Sequence, residues 1–123
     1  MKKLFVILIL LLFAVSAFAD GLTPEATRLK DSNPDIYSVI RGRAIVEWGT
    51  DHGMIVYVIN QQCKSVFEVA ALAPQLNDTE FYTILSDWCD DDLSLYDSIF
   101  EAPVDWSMVE YVMSQQIEAK SQY

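Results

Sequence analysis

Few residues in this chain have the type and spacing to do chemistry. Cys63 and Cys89 are the only two cysteines, Asp90, Asp91 and Asp92 stand in a row beside Trp88, and His52 is the single histidine. In an oxidising compartment two cysteines permit one intramolecular pairing, and a Cys63–Cys89 bridge is expected. Closing a loop of about 27 residues, it would contribute roughly 3.5 kcal/mol in the chain-entropy view. A redox or metal role would call for a closer pair such as Cys-x-x-Cys, which is lacking.

The aspartate run has three readings. A calcium loop would alternate its acids, with glycine at the sixth position and glutamate at the twelfth. This stretch has neither the alternation nor the glycine. Aspartates at a helix start cap free N–H groups and complement the dipole, which suits their place between two apolar stripes. They also suit a face turned to a cationic partner.

His52, with Asp51 beside it and Glu47 nearby, is the sole candidate for acid–base work near neutral pH. A small hydrolase would rest on it. No Gly-x-Ser-x-Gly elbow, Gly-rich phosphate loop or second histidine accompanies it, so neither a catalytic residue set nor a cofactor or metal site is expected.

Charge narrows the partner. Of the 18 acids, twelve fall between Ser65 and Ala119, where there is no Lys or Arg. Nucleic acid and anionic membrane surfaces demand the opposite sign. Acids keep a chain soluble, and a field of this sign also speeds association with a basic protein. Asp87, Asp90, Asp91, Asp92, Asp97, Glu101 and Asp105 are the candidate partner surface.

The elements that must hold these residues begin after residue 19. Lys2 and Lys3 precede an apolar run from Leu4 to Val15, followed by Ala17-Phe18-Ala19. This is the pattern of a secretory signal peptide over residues 1–19. The run is too short to span a bilayer, so the mature chain is expected to be soluble, in the periplasm or secreted. Asp20 to Tyr123 leaves 104 residues, one small domain.

Helix signals dominate that domain. Asn77-Asp78-Thr79-Glu80 has the form of a capping box, with Leu76 placed to staple onto Phe81. Phe81, Ile84, Leu85, Trp88 and Cys89 then trace one buried stripe, and Leu93, Tyr96 and Phe100 begin another. Pro24 and Pro34 sit where a first helical turn tolerates proline. A last helix follows Pro103, with Trp106, Val109, Met113 and Ile117 on one face. A disordered tail is expected over Glu118–Tyr123.

Arg43 to Asn60 is ambiguous, because its β-branched runs around Gly49-Thr50-Asp51-His52-Gly53 would suit a hairpin. Its apolar residues also recur at three and four. The neighbours favour two helices joined at the glycine-rich turn, giving an all-α bundle of about five helices with one disulfide, or an α+β fold with a hairpin at 43–60 as the alternative.

In plan the chain resembles small exported helical families: immunity proteins against type VI secretion amidases, and periplasmic acid-stress chaperones. The resemblance is one of architecture and carries no residue motif. Compartment and charge lead to the expectation of a non-catalytic exported protein, an inhibitor or immunity-like factor engaging a basic partner through the acidic C-terminal half, with an acid-stress chaperone and a small hydrolase using His52 as the alternatives.

Overall fold

A computed structural model of the protein describes residues 21–122; the expected signal peptide lies outside them. Five α-helices are present among these residues: α1 Pro24–Ser32, α2 Pro34–Trp48, α3 His52–Leu72, α4 Asp78–Asp87 and α5 Trp106–Lys120. Short 3-10 turns cover Ala73–Gln75, Leu93–Leu95 and Ile99–Glu101. No strand forms among them, only an isolated bridge between Cys89 and Val104. The expected all-α bundle is therefore the fold, and the hairpin alternative at 43–60 is not adopted.

Local chemistry sets each boundary. Thr23 caps α1 by accepting from the Ala26 amide, and Pro24 follows at the first helical position. Gly49 ends α2 at a φ of 59°, a conformation that costs an L side chain but not glycine. Asp51 then accepts from the Met54 amide to start α3. The capping box of α4 is complete: Asn77 Oδ1 accepts from the Glu80 amide at 2.8 Å, and Glu80 Oε1 accepts from the Asn77 amide at 3.1 Å. Leu76 and Phe81 both join the apolar cluster, as a hydrophobic staple requires.

The longest helix, α3, is the axis of the molecule, with α1, α2 and α5 packed on it and α4 resting on α5. Its core face carries Ile55, Ile59, Cys63, Val66 and Val69. Trp106, 1 % exposed, stacks on Phe100 at a centroid distance of 5.4 Å and an interplanar angle of 14°. A side chain of this size is the largest single apolar contribution to such a core.

Four expectations are corrected. Cys63 and Cys89 are free thiols, not a disulfide. The α4 helix stops at Asp87, so the helical stripe never carries Cys89 inward. Instead the Cys89 backbone runs beside Val104, held by the Asp90 amide on the Pro103 carbonyl at 2.9 Å and the Asp105 amide on the Trp88 carbonyl at 3.0 Å.

The stripe at Leu93, Tyr96 and Phe100 forms two 3-10 turns and no α-helix. Asp92 and Ser98 accept backbone N–H groups from Ser94 and Phe100, and such local bonds compete with the helical ladder.

The tail is ordered further than expected, since α5 runs to Lys120. The Lys120 ammonium reaches Glu80 Oε1 at 3.0 Å and ties the last turn of α5 to the first turn of α4.

Candidate functional site

The seven acids proposed as a partner surface divide into two groups. Four of them are held by neighbours. Asp90 receives Arg43 in a two-pronged contact, Nε to Oδ2 at 2.6 Å and Nη2 to Oδ1 at 3.1 Å. Asp91 accepts from the Tyr96 hydroxyl at 2.8 Å and from the Asp92 amide at 2.8 Å. Asp92 caps the turn at Leu93, accepting from the Ser94 amide at 3.0 Å and its hydroxyl at 2.7 Å. Asp105 is the N-cap of α5 and accepts from the Met108 amide and from Gln62 Nε2, the latter at 2.9 Å.

The structural cap foreseen for the aspartate run is thus met by Asp92, while Asp90 and Asp91 brace the loop that follows α4. Asp87, Asp97 and Glu101 remain, and none of their carboxylates has a hydrogen bond or ion pair among the described residues. Asp87 and Asp97 are exposed and Glu101 is half-buried. These three are the acids available to a partner.

Electrostatics follows the contacts. The hydrogen bond to Asp90 raises the Arg43 guanidinium above its ordinary value against the opposing effect of burial, with Asp105 and Glu47 adding attraction. Asp92 is held below the usual carboxylate range by the Ser94 hydroxyl and amide. Glu80 is lowered too, by the Asn77 amide first and then by Lys120 and Gln116. The Tyr96 hydroxyl is raised by its bond to Asp91.

A buried polar seam between α3 and α5 was not foreseen. Gln62 Oε1 accepts from the Trp106 amide at 2.7 Å, while its Nε2 donates to Asp105 and, at 3.2 Å, to Ser107. One turn on, the Ser65 hydroxyl donates to Glu110 Oε2 at 2.9 Å. Gln62 and Ser65 are 7 % and 4 % exposed. Their place in the sequence carried the signal, because 62 and 65 fall among Ile59, Cys63, Val66 and Val69 on the core stripe of α3. Polar residues at core positions need partners from the facing helix.

His52 opens α3 and is exposed, and its imidazole has no hydrogen-bond partner among the described residues. Asp51, its neighbour, is engaged by the Met54 amide. Cys63 is fully buried, and desolvation pushes its thiol up to about 12. A thiol so held is a poor nucleophile.

Among the described residues no group of three or more His, Cys, Asp or Glu is arranged to hold a metal ion. No helix among them is long and apolar enough to cross a membrane. Comparison with protein-family models, with curated proteins and with solved structures finds no match.

Proposed function

We propose that this chain is an exported, non-catalytic binding protein whose acidic C-terminal half engages a basic partner protein, as an inhibitor or an immunity-like factor does. The observation that carries the reading is the charge division: residues 65–119 hold twelve acids and no Lys or Arg. Arg43 and Lys120, the two cations that form ion pairs among the described residues, both come from outside that segment. Asp87, Asp97 and Glu101 keep their carboxylates uncommitted among the described residues, so a cationic surface meets charge without first breaking a bond there. Complementary fields of this kind raise association rates and suppress wrong partners.

Capture of a partner from a periplasmic extract tests the reading. A basic protein should be retained at low salt and released near 0.5 M, where the screening length falls to about 4 Å. Retention indifferent to ionic strength would sink it.

A second reading, a chaperone activated by acid, draws support from the carboxylates that join helices: Glu110 to Ser65, Asp105 to Gln62 and Glu80 to Lys120. Protonation would weaken all three contacts and loosen α4 and α5. Aggregation of a client protein should then be suppressed near pH 2 to 3 and unaffected at pH 7. An acidified sample that binds no more hydrophobic dye than the neutral one would rule this out.

A further inference from the structure

Between α4 and α5 lies a cleft of about 370 Å³, walled by α4 from Thr79 to Asp87 and by Val112 and Gln116 of α5. Glu80, Thr83, Ile84 and Asp87 face it at the three-and-four spacing of one helical side. Its floor is apolar: Ile84 is buried and Val112 packs against the core. At one end the polar groups are served. Glu80 accepts from Lys120 at 3.0 Å and from Gln116 at 3.3 Å, and the Thr83 hydroxyl donates to the Thr79 carbonyl at 2.8 Å. At the other end, about 10 Å along the helix axis, Asp87 stands exposed with no hydrogen bond or ion pair among the described residues.

Asp87 is also badly placed for its own helix. It closes α4, whose last turn has no basic residue, so its negative charge lies at the negative end of the dipole. An uncharged residue would hold this helix end better. The carboxylate is therefore of more use to a ligand than to the fold.

We propose that this cleft seats a lysine or arginine side chain from the basic partner protein, its methylene stem along Ile84 and Val112 and its charged head on Asp87. The proposal rests on the binding function argued above and names where its central contact falls. Charge complementarity selects the occupant. Residues 65–119 supply no cation, Lys120 is committed to Glu80, and no cation among the described residues pairs with Asp87, which leaves its charge open to another molecule. Long basic side chains bury their stems on apolar surface while the head stays at the polar rim, which is the order of groups from Ile84 to Asp87.

Titration of ¹⁵N-labelled protein with N-acetyl-trilysine amide tests the assignment. The amides of Thr83, Ile84, Asp87 and Val112 should shift together, and trilysine acetylated on its side-chain amines should move none of them. Asp87→Asn should weaken trilysine binding roughly fivefold, the scale of one partly exposed ion pair. Glu25→Gln on α1 should leave it within about twofold. Asp87→Asn removes a charge that opposes its helix, so the variant keeps its fold, and an unchanged amide spectrum elsewhere checks this.

Shifts scattered over all exposed acids, or an affinity indifferent to Asp87→Asn, would overturn the proposal. So would occupation by spermidine but not by trilysine. A captured basic partner that binds the Asp87→Asn protein as tightly as the parent discards the cleft and keeps the acidic face. Trilysine in the cleft with no protein captured does the reverse.

Discussion

Arg43 on α2 and Asp90 beyond α4, 47 positions apart, are joined by two hydrogen bonds of 2.6 and 3.1 Å. The guanidinium is only 22 % exposed at its side chain and the carboxylate 53 %. This contact fastens the loop that carries Asp91, Asp92, Asp97 and Glu101 to the half of the chain that carries most of the bases. It also withdraws one acid from any partner.

Because the contact is two-pronged, lysine cannot replace arginine there. Arg43→Ala should cost about 1 kcal/mol, the upper range for a pair open to solvent screening, and Arg43→Lys should recover less than half of it. The loss should shrink in high salt. Urea denaturation of the three proteins at low and high ionic strength measures each value.

Gln62 serves the start of α5 with both ends of its amide. Gln62→Ala would leave the Trp106 amide without its acceptor in a buried setting, a loss of about 1 to 3 kcal/mol. Gln62→Glu keeps the acceptor but sets a second carboxylate against Asp105, so it should be destabilising at pH 7 and recover as pH falls. Thermal melts at pH 7 and pH 5 separate the two variants.

The acid limb of stability should carry the mark of Glu80 and Asp92, whose pKa values are lowered in the fold. A depressed carboxylate contributes stability that is whole above its unfolded value, about 4.3 for Glu and 3.9 for Asp. That contribution is lost as pH drops through the lower folded value. Glu80→Gln should therefore flatten the stability profile below about pH 4.3 and leave the neutral region less stable than in the parent. Denaturation midpoints between pH 2 and 7 give the comparison.

The alkaline limb belongs to Cys63. Burial raises its thiol to about 12, so the folded state holds the proton that the unfolded chain releases near pH 8.5. Stability should be complete below that pH and fall by up to about 1.4 kcal/mol per pH unit above it, until the folded thiol itself ionises. Tyr96, raised by Asp91, acts in the same sense at higher pH. Cys63→Ala should remove the earlier part of the decline, and Tyr96→Phe the later part.

Much of the architecture was legible in local chemistry, because the signals involved act within one turn. The Asn77–Glu80 box and the glycine after Trp48 fix boundaries through bonds to residues three or four away, and Pro24 and Pro34 mark helix starts by their fixed φ and missing N–H. The site was less legible, since its state depends on distant partners. Nothing near Asp90 in the sequence announces Arg43, and nothing near Asp105 announces Gln62. The helical spacing that placed Cys89 on a buried stripe failed for a related reason: the helix gives way one residue after Asp87 to a backbone pairing with Val104, which no local pattern encodes.

The side chain of Asn60, midway along α3, accepts from the Thr23 amide at 2.9 Å and donates to the Gly21 carbonyl at 2.9 Å. Thr23 precedes its helix, yet its amide is latched to the waist of the longest rod in the molecule. In deuterated water this proton should outlast the first amides of α1, keeping time with the slow opening of the central helix.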